Sequence, residues 1–120
     1  MGLFDVTQAA LERALEGSAI RQRLLANNLA NANTAGYKRT DLDFQSALAS
    51  ALDRSDARTD IPKTAFAPVT DQLTTSRADG NNVDVDAEMA NLSENAVTYQ
   101  ALVAVAKARL HMIEIAIGGR

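Results

Sequence analysis

The chain has 120 residues, 47% of them hydrophobic but only 4% aromatic, with no tryptophan; much of the apolar content is alanine, so a large globular core is not expected. The net charge is −3 and there is no cysteine, which excludes disulfides, thiol nucleophiles and cysteine-based metal sites but leaves the compartment open. Residues 1–40 carry five basic and three acidic side chains, and the later segments are net acidic, so the chain lacks the basic stripe of a nucleic-acid binder.

The first segment, 1–40, begins MGLFDVTQAALERALE, with no basic leader and no continuous apolar core, unlike a cleavable secretory signal. No apolar run in the chain approaches the roughly 20 residues of a membrane span, so no direct membrane insertion is expected. Residues 3–33 predict a helix. Its stripe is Phe4, Gln8, Leu11, Leu15, Ser18, Gln22, Leu25, Leu29 and Ala32, in the alternating steps of four and three that mark a packed seam. Three of these positions are polar, and Gly17 and Ser18 loosen the middle. The helix is expected to close at Asn33-Thr34-Ala35-Gly36, where the glycine supplies a left-handed turn.

The second segment, 41–83, predicts a short amphipathic helix around 43–53, with Phe44, Leu48 and Leu52 on one face. Both prolines, Pro62 and Pro68, lie in 54–83, which reads as an extended loop with room for a short strand pair. The third segment, 84–120, predicts a long helix over 84–117. Its stripe is Val85, Met89, Leu92, Ala96, Tyr99, Val103, Ala106, Leu110, Ile113 and Ile117, and a second line, Leu102, Val105, Met112 and Ala116, lies beside it. Asp84 or Asp86 is placed to cap it, and Gly118-Gly119 to end it. The fold class is therefore mainly α in one structural domain. The N- and C-terminal helices pair as a coiled-coil-like hairpin, with the short helix and extended loop between them. The C-terminal helix has more apolar surface than one partner covers, so other chains should bury the rest, and the isolated chain is expected to be only partly folded.

Four asparagines, Asn27, Asn28, Asn31 and Asn33, crowd the end of the first helix. Asn27 and Asn31 share a face, with Asn28 beside it. Two readings stay open: amides between helices that fix register, or exposed residues fraying into a turn. Asp79, Asp84, Asp86 and Glu88 lack the glycine and distant glutamate of a calcium loop, and capping explains them. His111 stands alone in a helical pattern. No nucleophile or phosphate-loop pattern is present, so neither catalysis nor a cofactor is expected.

The stretch ANNLANANTAGYKR (26–39) resembles the signature of the flagellar axial proteins, the rod, hook and junction subunits. Ala26, Asn27, Asn28, Leu29, Ala30, Asn31, Thr34, Gly36, Tyr37 and Lys38 carry it. Ala35 stands where many relatives have proline. DGNNVDVDAEMANLSENAVTYQ (79–100) is similar to the proximal-rod branch of that family, through Asp79, Gly80, Asn81, Val83, Asp84, Asp86, Glu88, Met89, Asn95, Tyr99 and Gln100. The resemblance implies a non-enzymatic subunit of the proximal rod of the flagellar basal body, the drive shaft that transmits torque in the periplasm. It implies as partners other copies of the chain, other rod subunits, the adaptor at the inner-membrane ring and the flagellar type III export apparatus. It implies export without a cleaved signal peptide. The subunit interface would then include Asn27, Asn28, Leu29, Asn31, Gly36, Tyr37, Met89, Leu92, Tyr99, Val103, Leu110, Ile113 and Ile117. The rival readings are a cytoplasmic helical adaptor or export chaperone and, within the class, another proximal-rod paralogue.

Overall fold

A computed structural model describes residues 2–54 and 56–118, with side chains from residue 6 onward. Two helices dominate it. Helix α1 spans Gly2–Ala30 and α4 spans Val85–Gly118, 29 and 34 residues, or about 43 and 51 Å at 1.5 Å per residue. Between them lie a strand β1 (Thr40–Asp41), α2 (Phe44–Leu52), a single turn α3 (Ala57–Asp60) running into a 3₁₀ turn at Ile61–Lys63, and a strand β2 (Val69–Thr70). The chain is a flat slab of 64 × 31 × 14 Å with a radius of gyration of 17.9 Å, against about 14 Å for a compact domain of this length.

Three contacts fix the pairing of α1 with α4: Asn28 with Glu88, Gln22 with Asn95, and Gln8 with Arg109. The paired numbers move in opposite directions, so the helices are antiparallel in one constant register. The α1 stripe lies in this seam as expected, with Leu11, Ser18, Leu25 and Ala32 buried and Gln8, Leu15, Gln22 and Leu29 half-buried. Phe4 lies outside the described side chains.

The α4 stripe differs from expectation. Among the described residues, α4 buries only Glu88 and Asn95. These two and Arg109 sit seven or fourteen residues apart, on one line that faces α1. Val85, Met89, Leu110 and Ile117 of the expected seam are 42%, 54%, 64% and 83% exposed. Polar pairing is the reason. Ser18 and Gln22 on α1 need polar partners, and turning Asn95 toward them leaves the apolar line at the edge of the contact, with Leu92, Ala96, Val103, Ala106 and Ile113 half-buried.

The apolar core lies instead between the other face of α1 and the middle segment. Leu42, Phe44, Leu48, Ala51 and Ile61 form it, backed by Val6, Ala10, Ala14 and Leu24 of α1. Leu52, expected on the inward face of α2, is 46% exposed, and Ala51 takes its place at 1%. Asp43 caps α2 by accepting a hydrogen bond from the Ser46 amide at 3.0 Å. Phe44 crosses α1 at Gly17, where an added Cβ would stand 2.6 Å from the Phe44 Cβ; the glycine opens a seat for the ring. The ring of Phe66 meets Phe44 edge-on at 6.5 Å and carries the Arg13 guanidinium 4.6 Å above it, a cation–π contact. Segment 54–83 is thus more structured than an extended loop. Its strand β2 pairs antiparallel with β1, which follows the first signature motif, with Thr40 opposite Thr70.

Candidate functional site

The two signature stretches, about fifty residues apart in sequence, close on each other. Helix α1 ends at Ala30 and leaves carbonyls without helical partners. The loop before α4 supplies the donors. The Asn81 side-chain amide donates to the carbonyls of Asn31 and Thr34, both at 2.8 Å, and Arg77 donates to the carbonyl of Ala32. Gly36 turns the chain at φ +74° and Gly80 at φ +85°, a region open to glycine. The turns lie against each other: the Gly36 amide donates to Asp79 O at 2.8 Å, and a Cβ on Gly80 would lie 3.3 Å from the Gly36 Cα.

Asn28 is fully buried and saturated. Its Oδ1 accepts from the Thr40 amide at 2.9 Å and the Tyr37 hydroxyl at 3.0 Å. Its Nδ2 donates to Thr40 O at 2.8 Å and to Glu88 Oε2 at 3.2 Å. The carboxamide therefore pairs with Thr40 as a neighbouring strand's peptide would, covering the β1 edge that β2 does not. Asn82 bridges the two strands at the end of the ladder, accepting from the Arg39 amide at 2.7 Å and donating to Asp71 O at 2.8 Å. Only a carboxamide offers a donor and an acceptor in one plane, which is why asparagine recurs here.

Charge fills the rest of the clasp. Arg39 donates to the buried Glu88 carboxylate and reaches Asp41 at 3.3 Å. Arg21 holds Asp41 through two bonds of 2.9 and 3.2 Å. The Asp41 hydrogen bond raises the Arg21 pKa. Burial opposes the ionised form of Asp41, yet the bonds from Arg21 and the Leu42 amide outweigh it and hold the carboxyl below its ordinary value. Burial likewise opposes Arg39, and Glu88 and Asp41 outweigh it upward. Burial, with the Glu88 charge added, raises the Tyr37 hydroxyl. A second polar layer lies one heptad along, where Asn95 donates to Ser18 O at 2.9 Å and Gln22 Oε1 at 2.8 Å.

The expected interface residues therefore separate. Asn28 lies buried inside its own chain, its amide bonded to the edge of β1. Asn31 is half-buried and bonds Asn27 O at 2.8 Å and the Thr34 hydroxyl at 3.1 Å, closing the helix end. Tyr37 is half-buried with its hydroxyl on Asn28. Asn27 and Gly36 face outward; Leu29, Leu92, Val103 and Ile113 are half-buried beside the helix pair; Met89, Tyr99, Leu110 and Ile117 are exposed. Sequence reasoning missed Arg39, Asn82 and Asn95 as structural partners. The signal for Asn95 was its spacing of seven from Glu88, polar positions on a common line.

Beyond the clasp, α4 presents apolar side chains on nearly every side: Val97, Val105, Met112, Ile115 and Ile117 are all 45% exposed or more. From Asn95 to Ala106 it carries no charge. Farther on, Lys107, His111 and Glu114 interrupt this surface, so over 95–106 the helix has the uncharged surface of one that is normally covered. The comparisons with known proteins agree. The model of the family described as flagella basal body rod protein matches residues 9–38. The chain is 38% identical over 111 residues to the flagellar basal body rod protein FlgB of Bacillus subtilis, covering 86% of each chain. It is 35% identical to that of Escherichia coli, over 82% of this chain and 85% of the relative, and 34% identical to that of Salmonella typhimurium, over 98% and 99%. The chain belongs to the FlgB family of flagellar basal body rod proteins. Its role is structural, as a subunit of the proximal rod.

Proposed function

We propose that this subunit assembles with copies of itself and with other rod subunits beside the inner-membrane ring adaptor, and that it reaches the periplasm unfolded through the flagellar type III export apparatus, without cleavage. The observation that carries the assembly reading is the uncovered apolar face of α4, with Met89, Tyr99, Leu110 and Ile117 exposed in the single chain, a run of large apolar side chains of the kind that marks an interaction surface. Leu92, Val103 and Ile113 border that face; Asn27, Leu29, Asn31, Gly36 and Tyr37 border it at the clasp end. The missing cysteines and the polar layers set among the apolar residues of the α1–α4 contact suit a chain that must unfold to pass a channel.

Localisation tests the reading. A tagged, uncut chain is expected in the periplasm or medium of cells with a working flagellar export gate and in the cytoplasm of cells without one. Cytoplasmic retention in both strains would overturn it.

A further inference from the structure

Two features on opposite faces of the slab fit each other, and neither is used within the chain. The first is a knob. Leu73 is 95% exposed, yet it is held rigidly. The Asp71 carboxylate accepts hydrogen bonds from the amides of Leu73 and Thr74 at 2.9 and 3.0 Å and from the Thr74 hydroxyl. These bonds, led by the hydroxyl, lower the Asp71 pKa to about 2. Val69, 69% exposed on β2, stands beside it.

The second is a groove of about 330 Å³ along the α1–α4 seam, lined by Ala19, Gln22, Arg23, Ala96, Tyr99 and Gln100. Two alanines facing each other across the helices leave the hole. Gln22, Arg23, Tyr99 and Gln100 carry polar groups, but the surface the groove presents is mostly the carbon of its lining side chains, which an aliphatic side chain suits. Its one charged wall residue is Arg23.

Helix geometry puts knob and groove on opposite faces. The Leu73 turn overhangs a cleft whose walls include Arg21 and Glu94. On α1, Arg21 is two residues from both Ala19 and Arg23; on α4, Glu94 is two residues from Ala96. Two residues turn a helix by about 200°, so the cleft lies on one side of the helix pair and the groove on the other.

We propose that the Leu73 turn of one copy seats in the Ala19–Ala96 groove of a second copy, with Asp71 against Arg23. This rests on the rod reading above and deepens it. Knob and groove are different patches, so the contact is head-to-tail, and it forms a ring or an open helix according to whether its rotation closes. A carboxylate two residues from the knob, opposite the single cation of the groove, sets the polarity of the contact.

The chain has no natural cysteine, so a Leu73→Cys/Gln100→Cys pair supplies its only two thiols. Mild oxidation of isolated basal bodies is expected to give disulfide-linked dimers of this chain, absent with either single substitution. Leu73→Asp should lower the subunit incorporated per basal body at least tenfold and leave the melting of the purified chain unchanged, while Leu73→Met keeps incorporation near normal. Normal incorporation of Leu73→Asp would overturn the proposal. So would assembled rods without the dimer, or a cross-link from the Leu73→Cys thiol to a different rod protein. Export of each variant, followed in the same cells, reports separately on the rod reading: exported chains that assemble without the cross-link leave that reading intact.

Discussion

The clasp end of the molecule and the far half of α4 invert the usual distribution of polar and apolar groups. At the clasp, Asn28, Asn81, Glu88 and Asn95 are at most 1% exposed, and each is hydrogen-bonded. Farther along α4, Leu110, Met112 and Ile117 are 60% exposed or more. Buried polar groups contribute little net energy but tolerate few alternatives, because each wrong arrangement leaves a donor or acceptor unpaired. Apolar surface contributes energy without direction. Inside the chain, specificity therefore rests with the polar clasp, and the apolar side chains of distal α4 stay exposed; on the function proposed above, their burial between chains drives assembly.

The largest effects should come from the clasp. Glu88→Ala removes a fully buried carboxylate from Arg39 and Asn28; Arg39 keeps Asp41 at 3.3 Å, so the cost should lie at or below the lower end of the about 3–5 kcal/mol for breaking a buried pair, and a thermal melt followed by far-UV dichroism should show it. Asn28→Ala strands the Thr40 amide and the Tyr37 hydroxyl, at about 1–3 kcal/mol for each group that water cannot reach. Asn28→Asp sharpens the contrast. It keeps the acceptor, loses the donor, and sets a second carboxylate beside Glu88 Oε2, now 3.2 Å from Asn28 Nδ2. One of the two should then titrate upward, so this variant recovers stability relative to the native chain as pH falls from about 7 toward 5. A flat difference over that range would show that the two carboxylates do not meet.

The glycine turns come next. Gly80→Ala meets both a positive φ and the Gly36 Cα at 3.3 Å, and should cost about 2 kcal/mol or more. Gly36→Ala meets the φ penalty alone, with nothing within 4 Å of the added methyl, so about 1 kcal/mol is expected. Equal costs would mean the two turns are not packed as described.

Acid should act on the clasp more gently. The folded state holds Asp41 below its ordinary value of 3.8. A depressed carboxylate contributes its stability in full above that value and loses it as pH falls through the folded pKa. The melting temperature should therefore decline below about pH 4, and Asp41→Asn should flatten that decline. An unchanged decline in the variant would move its source elsewhere.

How much of this was legible in the sequence follows from what carries each contact. Leu11, Leu25 and Ala32 lie where the stripe of α1 places them, because apolar periodicity marks burial directly. On α4 the same rule selected Met89, Leu110 and Ile117, which point outward, and passed over Glu88 and Asn95, which point in. Periodicity scores hydrophobicity; it does not see that Gln8, Ser18 and Gln22 on the partner helix require polar company. The Asn28–Thr40 pairing was hidden for a different reason. It depends on β1, two residues long, whose partner β2 lies about thirty residues away across both prolines, and no local pattern announces so short a strand.

The smallest effect on stability should sit at the far end of α4, and it is the most informative. Leu110→Gln and Ile117→Gln change side chains that are 64% and 83% exposed, so each should alter the melting of the isolated chain by no more than about 0.5 kcal/mol. In cells the same variants should be exported normally and yet be poorly retained in isolated basal bodies, with motility reduced. The dissociation follows from geometry: an apolar side chain in water in the single chain has no folded-state contact to lose, and any contact it makes in the rod is lost in full. Clasp variants should show the opposite order, unstable first and unassembled as a consequence. If Leu110→Gln melted as early as Asn28→Ala, the distal half of α4 would have to be packed within its own chain, and the division between a polar interior contact and an apolar assembly face would fall.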